Sequence, residues 1–256
     1  LPRCYGVYDF NGKEILCSEI EEICVTTESL PIEDYYECRS FDFSAGLFYQ
    51  DRILVELYRF LDNFGISAST ILTTLHNNRH EFSEKLRDVY ASFDDDTRTE
   101  LWDSKEELKK FIKSDRSVID RYFKGELGKN VLFRHRAIAA LELIDSIHDE
   151  AFRIAEQILK NRNPDALSEY KDYLTELKEF SKLRKRNVFD YEKRYQSKFN
   201  YDFKKLMEKE FNGLPEKLKE PITVEFYTKD DTKSMIKVQI KERGSDVDGI
   251  GKILSR

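Results

Sequence analysis

The longest apolar pattern in the chain lies between residues 131 and 159. Its apolar residues recur every three or four positions, as they do on one face of an α-helix: Ile138, Leu141, Ile144, Ile147, Ala151, Ile154, Ala155 and Ile158. Asn163-Pro164 ends the run, because proline disfavours helical geometry in the residue before it. A stripe of this length must be covered by other helices, so it predicts a helical bundle-like core.

Shorter helical patterns lie on both sides of this stripe. Ser29, followed by Pro31 and two acids, predicts a helix start, and apolar residues then recur over 47–61 until Gly65. A further helix is predicted to begin after Ser67. The remaining helical patterns cover residues 81–90, 104–123 and 165–183.

Strand patterns occur near both ends of the chain. Asn11-Gly12 separates the β-prone runs 5–10 and 14–17, which predicts a hairpin, and residues 19–27 are predicted as a third strand. Near the other end, residues 222–227 and 236–240 alternate apolar and polar side chains and predict a second hairpin. A two-stranded hairpin is marginal in water, so its apolar face must dock on something.

Together these patterns predict an α+β fold that is predominantly α-helical, with a β-hairpin segment at the N-terminus and a β-hairpin near the C-terminus. The predicted organisation is a strand segment over residues 1–30, a helical domain over 31–220, and a hairpin with a tail over 221–256.

Composition and charge indicate where the chain is located and which partners it has. The 256 residues are 36% charged, with a net charge of -6 and no apolar run near the length of a membrane span. We therefore expect a soluble, cytoplasmic chain without a membrane partner, and the acidic balance disfavours nucleic acid as a partner. Because the chain starts at Leu1 without methionine, we also expect it to be part of a longer protein.

The four cysteines are the first candidates for chemistry. Cys4, Cys17, Cys24 and Cys38 are separated by 7 to 14 positions, with no Cys-x-x-Cys pair. Zinc and iron-sulfur sites usually take paired thiolates from one tight turn. The spacing therefore favours ordinary small apolar cysteines over a metal site or structural disulfides.

Histidine and acidic clusters give three further candidates. His76 and His80 lie one helical turn apart, but the zinc-protease pattern needs a Glu directly after the first histidine and Asn77 stands there, so we expect solvated surface histidines. Asp145 and His148 lie three apart on the long helix, and we expect a partly buried His148 bonded to that acid. Residues 94–96 are three consecutive aspartates, predicted to form a cap and solvated loop. No metal site and no catalytic residue is predicted.

The segment "KLRKR" over residues 182–186 is the best candidate for contact with phosphate or a partner. Its cations are Lys182, Arg184, Lys185 and Arg186, and the aromatic residues Phe189, Tyr191 and Tyr195 follow. Basic side chains contact phosphates and aromatic side chains stack on bases. In an acidic chain without a nucleic-acid-binding signature, a solvated helix end is the competing interpretation.

The segment "EIEEICVTTESLPIEDYYECRSF", residues 19–41, resembles the stretch that follows the catalytic barrel in cobalamin-binding radical SAM enzymes. The closing "DVDGIGKILSR", residues 246–256, also looks like the end of such chains. In that family the part after the barrel is a mainly helical C-terminal region of variable sequence, so the resemblance covers the whole chain.

The resemblance implies a parent enzyme that carries a [4Fe-4S] cluster, S-adenosylmethionine and cobalamin. Neither the Cys-x-x-x-Cys-x-x-Cys triplet nor the Asp-x-His-x-x-Gly pattern of that family occurs in this chain. The resemblance therefore implies that the cofactors lie upstream and that this region, not itself catalytic, packs against the upstream barrel and shapes the substrate site.

Two alternatives from other classes stay open on the sequence alone. The first is a free-standing helical module that binds a partner helix in an apolar groove. The second is an RNA- or phosphate-binding domain that uses the cations of residues 182–186.

Overall fold

The structure is a computed structural model that describes residues 2–124, 126–128, 130–186 and 190–243. Most of these residues are helical, and two small antiparallel sheets accompany the helices, so the predicted α+β, predominantly α-helical class is confirmed. The helices are α1 Ile32–Ala45, α2 Val55–Asp62, α3 Ala68–Asn77, α4 Glu84–Thr99, α5 Lys105–Ile112, α6 Arg116–Phe123, α7 Val131–Glu142, α8 Ile144–Arg162, α9 Pro164–Arg184, α10 Phe203–Glu208 and α11 Asp230–Arg243. The strands are β1 Pro2–Phe10, β2 Lys13–Ile20, β3 Tyr195–Tyr201 and β4 Lys217–Phe226.

The main core surrounds α8, as the long apolar stripe predicts. Ile147, Ala151, Ile154 and Ala155 are fully buried there, and α9 packs alongside. The run is nevertheless two helices, because Leu143 adopts a non-helical backbone conformation between α7 and α8. Residues 104–123 likewise form two helices, α5 and α6, and each begins at a side-chain cap, Ser104 and Asp115.

The helix predicted over residues 47–61 is interrupted. A π-helical turn, Gly46–Gln50, follows α1, and α2 begins only at Val55. Arg52 lies between them in the left-handed region with φ of 54°. A Cβ on Gly46 would lie 2.8 Å from Cδ of Arg136, so only glycine lets this side chain of α7 approach the backbone so closely.

The N-terminal hairpin is confirmed. β1 and β2 pair antiparallel around Asn11 and Gly12, which both have positive φ, as a two-residue turn of this type requires. The third strand predicted over 19–27 is wrong: β2 ends at Ile20, and residues 21–27 have no regular structure. A strand needs a neighbour, and in the described ranges neither edge of this hairpin pairs with another strand.

The hairpin docks through one face on α5 and α6. Val7, Leu16 and Ile20 pack against a small apolar cluster separate from the main core, formed by Leu108, Ile112, Val118, Ile119 and Tyr122. The opposite face carries Tyr8, Phe10 and Ile15, which remain 61%, 66% and 42% exposed.

The prediction of the C-terminal hairpin is wrong for one of its two strands. β4 contains the predicted strand 222–226, but its partner is β3, and residues 236–240 belong to α11. Acids at Asp230 and Asp231 open that helix, where negative charge is favourable, and Lys233 bonds back to Asp230. The alternation of apolar and polar residues over 236–240 predicted a strand that would pair with β4. Because β3 pairs with β4 instead, this local pattern did not decide the backbone conformation.

Two other sequence expectations concern wider organisation. The predicted domain boundaries, between residues 30 and 31 and between residues 220 and 221, stay predictions. No helix in the described part of the chain has the length and apolar character needed to cross a membrane.

Candidate functional site

The basic segment at the end of α9 is held by contacts within the protein. Lys182 Nζ lies 3.0 Å from Asp149 and 3.3 Å from Asp145, both on α8. Burial disfavours the charge of Lys182, but the hydrogen bond to Asp149 and its charge outweigh burial and raise the pKa of the lysine. This cation is therefore part of the α8–α9 contact.

The next two cations reach toward α2. Arg184 pairs with Glu56, a carboxylate with no exposed surface, and Lys185 Nζ lies 3.9 Å from the same carboxylate. Lys185 also donates to the backbone oxygen of Arg52 at 2.7 Å, and burial lowers the pKa of this lysine. Both side chains thereby fix the segment that leads from the π-turn into α2.

Arg186 stacks on an aromatic ring of the C-terminal sheet. Its guanidinium lies over the ring of Tyr195, and its Nε donates to the oxygen of Leu183. Tyr191 lies near Lys237 of α11, and Phe189 lies outside the described residues. The predicted phosphate contact at Lys182, Arg184, Lys185 and Arg186 stays a prediction, but all four cations already have oxygen partners in the protein.

A buried polar network extends from this segment into the core. His148 Nδ1 donates to the oxygen of Ile144 at 2.7 Å, so Nε2 accepts from Ser181 Oγ at 2.9 Å. Ser181 Oγ also lies 3.4 Å from Glu56. The predicted bond between His148 and Asp145 is wrong. Asp145 points outward from α8 and is 83% exposed, while His148 is fully buried.

His148 should make stability depend on pH. Burial lowers its pKa from 6.5 to about 4, so the unfolded chain binds the proton first as pH falls. We expect the free energy of unfolding to fall by about 3 kcal/mol between pH 6.5 and pH 4 through this residue alone. The measurement is urea unfolding across that range for the wild type and for His148→Gln, and an identical pH slope in the two proteins would contradict the assignment.

A second polar cluster joins α1, α3 and α4. His76 Nε2 lies 2.8 Å from Glu37, and Nδ1 lies 2.8 Å from Ser44 Oγ, which is also 2.7 Å from the hydroxyl of Tyr90. Arg79 donates to the other oxygen of Glu37 at 2.8 Å. The expectation of a solvated His76 is wrong, because this side chain is 3% exposed; His80 is 72% exposed, as expected.

This serine, histidine and glutamate follow the order of a nucleophilic triad, but their exposure is reversed. Ser44 is fully buried, whereas Glu37 is 56% exposed. A nucleophile must reach a substrate, and the carboxylate of a triad is normally the enclosed member. Burial lowers the pKa of His76, which keeps the ring neutral and able to accept from Ser44. The geometry supports a structural clamp between three helices.

The three aspartates of residues 94–96 lie within α4 and not in a loop. Burial raises the pKa of Asp94, while Asp96 accepts from Arg134 of α7 at 3.0 Å. The prediction of a solvated cap failed because α7 supplies a partner for a helical aspartate. Sequence spacing carries no sign of that partner.

The cysteines do not converge. Cys17, Cys24 and Cys38 are free and exposed, and nothing is described of the Cys4 side chain. Among the described residues, no three His, Cys, Asp or Glu side chains form a group that could hold a metal ion. The donors described here therefore do not fit an iron-sulfur cluster.

Comparison of the chain with protein-family models, with curated proteins and with solved structures gives no match in any of the three.

Proposed function

We propose that this chain is the C-terminal accessory region of a cobalamin-binding radical SAM enzyme and that it covers or shapes the substrate site of an upstream barrel. The observation that carries the proposal is the N-terminal hairpin. It presents an apolar face, and two edges that pair with no other strand of the described residues, next to the segment, residues 19–41, on which the resemblance rests. Radical intermediates require shielding from water and side reactions, which a covering domain provides.

The outer face of the hairpin supports docking onto another structure. Tyr8 and Ile15 are directly paired across the strands, and Phe10 lies on the same face two residues on. All three are exposed, whereas the opposite face is covered by α5 and α6. Exposed strand edges invite pairing with a further strand, and an upstream barrel would supply both the strand and the apolar surface.

The segment with the resemblance has a defined local structure. The Thr26 hydroxyl donates to the oxygen of Leu30 at 2.9 Å, and the Thr27 hydroxyl accepts from the backbone of Ser29 and Leu30. These bonds form a tight turn that directs the chain from the hairpin into α1. The threonine pair thus sets the direction in which the chain runs from the proposed docking element into the helical core.

Cofactor chemistry belongs to the upstream part under this proposal. The described cysteines do not fit an iron-sulfur cluster, as their separation indicates. We therefore assign no step of the reaction, and no cofactor contact, to a residue of this chain.

The full open reading frame gives the direct test. A Cys-x-x-x-Cys-x-x-Cys triplet upstream of Leu1, with iron and cobalamin in the purified full-length protein, is the expected result. A full-length protein without that triplet would overturn the proposal and favour the free-standing helical module.

Hydrogen exchange tests the docking face in the full-length protein. We expect the amides of β1 and β2 to exchange at least about tenfold more slowly there than in residues 1–256 alone, because docking removes local opening. Tyr8→Ser with Phe10→Ser should abolish this difference. Met235→Ser, which changes a 68% exposed side chain of α11, is the matched control and should preserve it. Equal exchange in the two wild-type proteins would contradict docking.

A further inference from the structure

A surface cavity of about 480 Å³ lies beside the π-turn, Gly46–Gln50. Its walls come from the π-turn, the loop that follows it, α2 and the first residue of α3. The residues that line it are Tyr49, Gln50, Arg52, Val55, Tyr58, Arg59, Asp62 and Ala68. This volume lies within the range of small-molecule sites.

Two arginines, Arg52 and Arg59, are among the residues that line the cavity. Among the described residues, no Asp or Glu oxygen lies within 4.0 Å of Arg52 or Arg59. Asp62 also lines the wall, so the two arginines exceed the acidic charge by one. In a chain with a net charge of -6, two arginines at one cavity that have no acidic partner within the described ranges reverse the overall charge locally.

The backbone at Arg52 is held in an unfavourable conformation. A φ of 54° places this non-glycine residue in the left-handed region, which costs on the order of 1–3 kcal/mol. Lys185 holds it there by donating to its carbonyl oxygen at 2.7 Å. Strained residues of this kind cluster at ligand sites, and here the strain places an arginine on the wall of a cavity.

Apart from Gln50, the remaining wall is apolar and aromatic. Tyr49 is 53% exposed, and its ring meets that of Tyr58 edge to face at 5.8 Å. The hydroxyl of Tyr58 is bonded to the oxygen of Phe48 at 2.7 Å, which fixes the ring. A rigid tyrosine next to guanidinium groups offers a stacking surface beside an anion site.

We propose that this cavity binds a phosphate group, either as the free anion or as the phosphomonoester of a small aromatic molecule. Guanidinium groups match phosphate oxygens in charge and in fork geometry. Two such groups suit a doubly charged phosphate better than they suit a singly charged carboxylate ligand. The proposal is independent of the radical SAM assignment, because its residues lie outside the segment with the resemblance.

The test is a titration of the chain with inorganic phosphate and, separately, with adenosine monophosphate at constant ionic strength, followed by amide chemical shifts. We expect saturable shifts confined to residues 46–68. Affinity should fall about tenfold or more in Arg59→Gln and in Arg52→Asn, since a charge-assisted hydrogen bond is lost in each. Asparagine is chosen at 52 because it tolerates positive φ.

Two further variants separate binding from general effects. Asp62→Asn removes the opposing charge and should tighten binding about two- to fivefold, a gain that damage to the fold cannot produce. Arg162→Gln changes an exposed arginine at the end of α8 and should leave affinity unchanged.

The two probes distinguish the source of the phosphate. Tighter binding of adenosine monophosphate than of phosphate assigns the tyrosine wall to an aromatic group, and equal affinity assigns the site to the free anion. Shifts centred on residues 182–186, absence of saturation with both probes, or unchanged affinity in Arg59→Gln would overturn the proposal.

Discussion

Replacing Arg184 with methionine is expected to lower the free energy of unfolding by about 3–5 kcal/mol. Glu56 has no exposed surface and pairs with Arg184, while Lys185 lies 3.9 Å away. Without Arg184 the carboxylate stays buried, and Lys185 is left as a more distant cation. An uncompensated buried charge is the costly outcome of breaking such a pair. Urea unfolding of the variant measures the loss.

Two matched variants locate the cause of this effect. Lys182→Met removes a cation two residues away, but its partners Asp145 and Asp149 are 83% and 53% exposed, so we expect less than about 1 kcal/mol. Adding Glu56→Leu to Arg184→Met should recover much of the stability, because no charge is then buried. Equal losses in Lys182→Met and Arg184→Met would contradict the special role of burial.

Replacing Phe180 with alanine is expected to cost about 3–5 kcal/mol. This ring on α9 stacks on Phe203 at 4.4 Å and contacts Phe199 of β3 and Phe226 of β4 at 5.8 and 5.5 Å. It is 1% exposed, so alanine would leave a cavity where α9 meets the C-terminal sheet. Thermal and urea unfolding should both show the loss.

The size of the substituted group should control this effect. Phe180→Leu retains much of the volume and should cost about 1–2 kcal/mol. Phe10→Ala removes an aromatic ring that is 66% exposed and should change stability by no more than about 0.5 kcal/mol. A loss in Phe10→Ala as large as that in Phe180→Ala would show that ring removal, not burial, is responsible.

Local patterns predicted the elements that depend on local interactions. The Asn11-Gly12 turn, the cap at Ser67 and the apolar stripe of α8 all follow from residues close in sequence. The interruption near Arg52 was missed, because it depends on Arg136 of α7 approaching Gly46 and on Lys185, directly after α9, bonding to Arg52. Neither contact leaves a sign in the apolar periodicity.

The polar clusters illustrate the same division. His76 and His148 were visible as candidates, but their partners Ser44 and Ser181 are 32 and 33 residues away. Spacing along one helix suggested Asp145 for His148, since i, i+3 neighbours share a face. Burial of the histidine against α9, and exposure of the aspartate, reversed that choice.

The sequence by itself determined the α+β class, the positions of most helices and the N-terminal hairpin, because these follow from capping residues, turn residues and the spacing of apolar side chains. The tertiary structure decided which strand pairs with β4, which histidines are buried and which cations already have partners. Those outcomes depend on contacts between residues far apart in the chain. The cavity with Arg52 and Arg59 is of the same kind, since the contact from Lys185 helps to hold its wall.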